Sequence, residues 1–150
     1  MGCDIHLHIE IKINNEWHHY NHPQIGRNYD LFTKMASVRN YSDEIDPISK
    51  PKGFPEDTSF TTKFDYERWD SDAHSASWLG AKEIKELAEW WAEKYKNEQF
   101  PKAWFETTGG GNFGYLFGNS YEHFLEYRGK EGGGYPSELR DVRFVFWFDS

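Results

Sequence analysis

Asp4, His6 and His8 alternate near the start of the chain, within Met1-Gly2-Cys3-Asp4-Ile5-His6-Leu7-His8-Ile9-Glu10-Ile11-Lys12-Ile13. On a strand, that spacing puts a carboxylate and two imidazoles on one face, about 7 Å from one to the next. These are general-base, hydrogen-bonding and metal-ligand groups. An ordinary exposed strand face needs only polar residues, and Lys, Thr or Glu would serve there. A second carboxylate–imidazole pair, Asp72-x-His74, precedes Ser75 and Trp78 just before a helix, whose N-terminus offers free N–H groups. The expectation is that the two pairs converge. His6 and His74 would then be the catalytic acid–base pair, with Asp4 and Asp72 as orienting carboxylates. His6, His8, Asp72 and His74 also have the donor types for a divalent metal such as zinc, manganese or iron, and metal-free chemistry fits equally well. His18, His19, His22 and His123 read as structural or exposed.

Arg27-Asn28 and Arg39-Asn40 flank a short apolar run, Leu31, Phe32, Met35, Ala36 and Val38, spaced as one face of a helix. Guanidinium forks match phosphate geometry, and Asn can read a base or ribose edge. Helix capping and surface ion pairs account for the same dipeptides. Pro51-Lys52-Gly53-Phe54-Pro55-Glu56-Asp57 is turn chemistry that could also act as a lid, bringing Lys52 or Asp57 to a pocket. Ser75 and Trp78 complete the candidate ligand-binding set. Gly109-Gly110-Gly111-Asn112-Phe113-Gly114 lacks the Gly-Lys-Ser/Thr end of a phosphate loop and the context of a dinucleotide fingerprint. It reads as a loop. Cys3 lies on the apolar face and reads as a small buried residue.

These residues need elements to hold them. Cys3, Ile5, Leu7, Ile9, Ile11 and Ile13 give the first strand an apolar face. Asn14-Asn15 predicts a two-residue turn, and Glu16 to Tyr20 a returning strand. The stretch from Tyr41 to Trp69, carrying Pro47, Pro51, Gly53 and Pro55, reads as a long loop that is not regular throughout. Ala81 to about Lys96 is the clearest helix, with Gly80 as N-cap and Glu83 at its third position. Its buried stripe is Ile84, Leu87, Ala88, Trp91 and Tyr95, and Pro101 enforces a break. Ser120 to Tyr127 reads as a second short helix, and Gly132 to Gly134 as a loop. Val142 to Phe148 is apolar on both faces apart from Arg143, the pattern of a central strand. The expected fold is α+β: a mostly antiparallel sheet with the N- and C-terminal strands central, one long helix and one or two short helices, in a single domain of residues 1–150.

With 150 residues and 19% aromatic residues, the chain can bury a substantial core or line a cleft with rings. A formal net charge of -8 repels polyanions, so long nucleic acid is disfavoured while a small nucleotide ligand is not. One cysteine excludes an internal disulfide and a cysteine-rich zinc site. No apolar run approaches the roughly 20 residues that span a bilayer. The expectation is a cytoplasmic protein without membrane partners, for which a homo-oligomer is allowed. His6 in place of Ser or Thr argues against myristoylation of the Met-Gly-Cys start.

The sequence resembles a group of small phage and prophage proteins that open with Met-Gly-Cys-Asp-Ile-His. The resemblance runs through Arg27-Asn28-Tyr29, Val38-Arg39-Asn40, the Pro51-x-Gly53-x-Pro55-x-Asp57 loop, Asp72-Ala73-His74-Ser75, Ser77-Trp78 and the closing strand from Val142-Arg143 to Asp149. His8 stands where that group usually has an aromatic residue. By analogy, the resemblance implies an anti-defence protein acting on a nucleotide immune signal in the host cytosol. Three functions fit the residues. The first is a phosphoesterase cleaving a cyclic dinucleotide-like messenger. The second is a non-catalytic sponge for a cyclic nucleotide or ADP-ribose-derived signal. The third is an inhibitor that binds a host protein.

Overall fold

The computed structural model describes residues 2–94 and 142–150. The alternation of β1 (Asp4–Ile13) ends at Asn14 and Asn15, whose φ values of 51° and 68° are what a type I′ turn demands. That turn matches the twist of paired strands and returns β2 (Glu16–Asn21) antiparallel to β1. Next comes α1 (Tyr29–Ala36), opened by the Asn28 side chain, which accepts the Leu31 N–H, and closed by Ser37 at φ 59°. Then follow α2 (Phe60–Trp69), a 3-10 turn at Asp70–Asp72, β3 (His74–Leu79), α3 (Ala81–Lys94) and β4 (Val142–Asp149).

The four described strands form one antiparallel sheet in the order β2-β1-β4-β3, so the strands nearest the two ends of the sequence are central. Cys3, Ile5, Leu7 and Ile9 join Phe144, Phe146 and Phe148 of β4 on one face. They pack against Leu31, Phe32 and Met35 of α1 and Ile84, Leu87 and Trp91 of α3. Each large side chain buried there contributes roughly 1.5–3 kcal/mol. Gly80 opens α3 as expected, its N–H held by the Glu83 carboxylate at 3.1 Å.

The other face of β1 is covered as well, and this decides where chemistry can occur. α2 lies across it, using Thr62, Asp65, Tyr66 and Trp69, spaced i, i+3, i+4 and i+7. Thr62 reaches Glu10, Asp65 reaches His8, Tyr66 packs on Trp147, and Trp69 on His6.

The expectation of one long helix is not borne out: the described helices have 8, 10 and 14 residues. α2 lies in the segment read as a loop, and β3 takes up most of the stretch between Asp72 and the third helix, for which no strand was expected. Tyr95, Pro101, the glycine-rich stretch at 109–114, the helix expected at 120–127, His123 and the loop at 132–134 lie outside the described residues.

Candidate functional site

Asp4, His6, Arg27 and Arg39 gather where β1 begins and β4 ends, but with partners other than those expected. Pairing sets Asp4 opposite Asp149 and His6 opposite Trp147, so Asp149 is the diagonal neighbour of His6. His6 Nε2 bonds Asp149 Oδ2 at 2.5 Å, while its ring lies between Trp69 (4.1 Å) and Trp147 (5.8 Å). Asp4 does not orient His6. It is gripped instead by Arg27, whose Nε and Nη2 donate to its two oxygens at 2.7 and 3.2 Å. That guanidinium holds the Asp4 carboxyl below its usual range. Two carboxylates facing each other across the strands repel; the Arg27 guanidinium offsets the charge of Asp4, and Asp149 is hydrogen-bonded to His6.

Arg39 lies beside Cys3 and Tyr41, with its guanidinium 5.2 Å from the centre of the Tyr29 ring. Burial pushes the Cys3 thiol up, leaving it a poor nucleophile. Tyr41 is 78% exposed beside Arg39. It is an open aromatic surface next to a fixed cation.

His74 heads β3 and sits opposite Phe148, so strand alternation puts it on the other face of the sheet from His6. Its ring nitrogens bond Ser75 Oγ at 3.0 Å and Ser150 Oγ at 2.9 Å. Asp72 is exposed in the 3-10 turn and makes no hydrogen bond to His74. The two imidazoles are thus held by consecutive residues, Asp149 and Ser150, and neither by the carboxylate two positions before it. Ser75 adopts φ 54°, a left-handed conformation uncommon for serine, at the irregularity between His74 and Ser77.

The remaining expected ligand residues serve the frame. Asn28 is a helix cap, and Asn40 bonds Ser37 Oγ and the Asp43 N–H within a turn. Lys52 pairs with Glu83 at 2.6 Å and lies 3.8 Å from the centre of the Trp78 ring. Asp57 accepts from Arg143 at 2.9 Å. Lys52 and Asp57 therefore fasten the 51–57 loop to its neighbours.

The inner polar face gathers His8 and Asp65 with His19 and His22, two histidines that read from the sequence as structural or exposed. His8 is 2% exposed, with Nδ1 bonded to His19 Nε2 at 2.9 Å and Nε2 to Asp65 Oδ2 at 2.8 Å. Its ring stacks on that of His22, with centroids 4.1 Å apart. Burial pushes the His8 pKa down to about 4, outweighing the Asp65 hydrogen bond, so the ring is neutral. Asp65 is raised by burial, but hydrogen bonds from Arg68 and His8 win and hold it ionised. Beside them, Glu10 accepts from Arg143, from the Ser59 N–H and from Thr62 Oγ1, at 2.8–3.0 Å. Burial opposes its charge, yet those bonds hold its pKa below the usual value.

His19 was within reach of sequence reasoning. A two-residue turn at Asn14-Asn15 pairs Glu10 with His19, which puts His19 on the same face as His8. Asp65 and His22 carry no comparable local signal. Among the described residues, no helix is long and apolar enough to cross a membrane. Comparison with protein-family models, with curated proteins and with solved structures finds no match, so the geometry itself carries the functional reading.

Proposed function

We propose that this protein recognises a nucleotide second messenger at the strand end and cleaves its phosphodiester, with His6 as the general base. The observation that carries the reading is the His6–Asp149 dyad, held between two tryptophans beside two arginines. Asp149 accepts the hydrogen bond from the Nε2–H of His6, which leaves Nδ1 as the basic nitrogen. Nδ1 removes a proton from the attacking water or ribose hydroxyl as its oxygen bonds to phosphorus, and the bond to the departing ester oxygen breaks as that oxygen takes a proton from the imidazolium or from solvent. Asp149 stabilises the imidazolium formed. Arg27 keeps Nη1 for a phosphate oxygen while Nε and Nη2 hold Asp4. The open Tyr41 ring offers a stacking surface for a base. The resemblance to phage proteins supports a host immune messenger as the substrate class.

A second reading, a sponge that binds the same ligand without turnover, is favoured by one observation. His74 leaves the sheet on the face away from His6 and has no carboxylate partner, so the expected second acid–base pair is not formed. One experiment separates the two readings. Wild-type protein and His6→Ala are incubated with cyclic nucleotides, cyclic dinucleotides and ADP-ribose derivatives, then heat-denatured, and the supernatants are chromatographed. A new product that His6→Ala fails to make supports the hydrolase. A ligand depleted before heating and recovered intact afterwards supports the sponge. No depletion of any compound overturns the nucleotide reading.

A further inference from the structure

We propose that His8, His22 and Asp65 form a binding site for one divalent transition-metal ion of the zinc type. This is independent of the nucleotide reading, because none of the three residues belongs to the strand-end cluster. One ligand atom from each lies within 4.8 Å of the other two. Asp65 Oδ2 is 2.8 Å from His8 Nε2 and 4.0 Å from His22 Nε2. Tetrahedral zinc, with bonds of about 2.0–2.1 Å, sets neighbouring donors about 3.3 Å apart, between those two values.

The second nitrogen or oxygen of each group is already held, which is how outer partners orient metal ligands. The Leu7 carbonyl accepts from His22 Nδ1 at 2.8 Å, which directs the His22 lone pair to Nε2. His19 holds His8 Nδ1 at 2.9 Å, and Arg68 Nη2 holds Asp65 Oδ1 at 2.6 Å. Three protein donors come from three separate segments: β1, the loop after β2, and α2. The His8 and His22 rings are nearly parallel, at 7°, so binding requires one ring to tilt until the lone pairs converge. His22, the more exposed of the two, can do this by pivoting about its hydrogen bond to the Leu7 carbonyl. On binding, the His8 proton moves from Nε2 to Nδ1, His19 Nε2 accepts the resulting hydrogen bond, and His19 carries its own proton on Nδ1. Two imidazoles with one carboxylate favour zinc, cobalt or iron over magnesium or calcium, which prefer all-oxygen sets. A fourth position is left for water.

The test is calorimetric titration of the full chain with zinc chloride, and with cobalt chloride followed by visible absorption. His8 is buried, so the variants used are His22→Ala and Asp65→Asn, with folding checked by circular dichroism and with His18→Ala as a surface-histidine control. The expected result is one equivalent of zinc and the absorption of four-coordinate cobalt. Each ligand variant should bind at least about 100-fold more weakly, with Arg68→Met about 10-fold weaker and His18→Ala unchanged. No saturable site, or one whose affinity survives both His22→Ala and Asp65→Asn, overturns the proposal.

Discussion

Glu10 and Arg143 face each other in register across β1 and β4, and their buried ion pair is completed by groups from outside the sheet. The Ser59 N–H and Thr62 Oγ1 donate to Glu10, and Asp57 accepts from Arg143. The Arg143 guanidinium also lies 4.1 Å from the centre of the Trp17 ring. One ion pair therefore joins both central strands, the loop and the start of α2.

Removing one member leaves the other charge buried alone. Arg143→Met should cost about 3–5 kcal/mol, read from the urea midpoint at constant m. The double variant Glu10→Gln/Arg143→Met should lose less than the sum of the two single changes. Additive losses would mean that the two side chains act independently.

At the strand end, Asp149→Asn removes the carboxylate charge facing His6 Nε2 and introduces an amide N–H that can favour the other His6 tautomer. For the proposed hydrolase, kcat should fall about 10²–10⁴-fold with little change in KM. Arg27→Met should mainly raise KM. Steady-state assays on the substrate found in the nucleotide panel separate the two effects, and an unchanged kcat in Asp149→Asn would remove the dyad from the mechanism.

The type I′ turn places Asn15 at φ 68°, a conformation that glycine adopts without a Cβ penalty. Asn15→Gly should raise stability by about 0.5–1 kcal/mol, seen as a higher melting temperature. A fall would show that the Asn15 side chain supplies bonding worth more than the backbone strain.

Ser75 is held at φ 54° next to His74. Ser75→Gly should relieve about 1 kcal/mol of strain while removing the hydroxyl that bonds His74 Nδ1. Higher stability with lower turnover would mark the strain as serving function. Higher stability with unchanged turnover would leave His74 outside the chemistry.

Much of the frame was legible because its signals are local. The alternation of β1, the Asn14-Asn15 turn, the Gly80 and Glu83 pairing, and the two-sided apolar run of β4 each appear within a few residues. α2 was missed because the face it buries is Thr62, Asp65, Tyr66 and Trp69, which repeats with helical period but contains no aliphatic residue. Its partner face on β1 is polar too, so a buried interface looked like two solvent-facing surfaces. β3 was missed because Ser75, Ala76 and Ser77 are small, and only Gly80 separates it from α3. The site followed the same division. Asp4, His6, Arg27 and Arg39 do share one end of the sheet, but the carboxylate partners of His6 and His8 lie 143 and 57 positions away, and no spacing rule reaches that far.

The strand order β2-β1-β4-β3 also governs how the chain must assemble. Every other described element precedes β4, yet β4 is the strand on which β1 and β3 both pair. Contacts such as Glu10 with Arg143 span 133 residues, so loop-closure entropy is paid before the sheet gains its central hydrogen bonds. During synthesis, β1 and β3 wait with unpaired edges until β4 arrives, and in that interval they are open to pairing with other chains. Folding should accordingly be slow for the size of the sheet, and aggregation should compete with it before β4 is inserted rather than after.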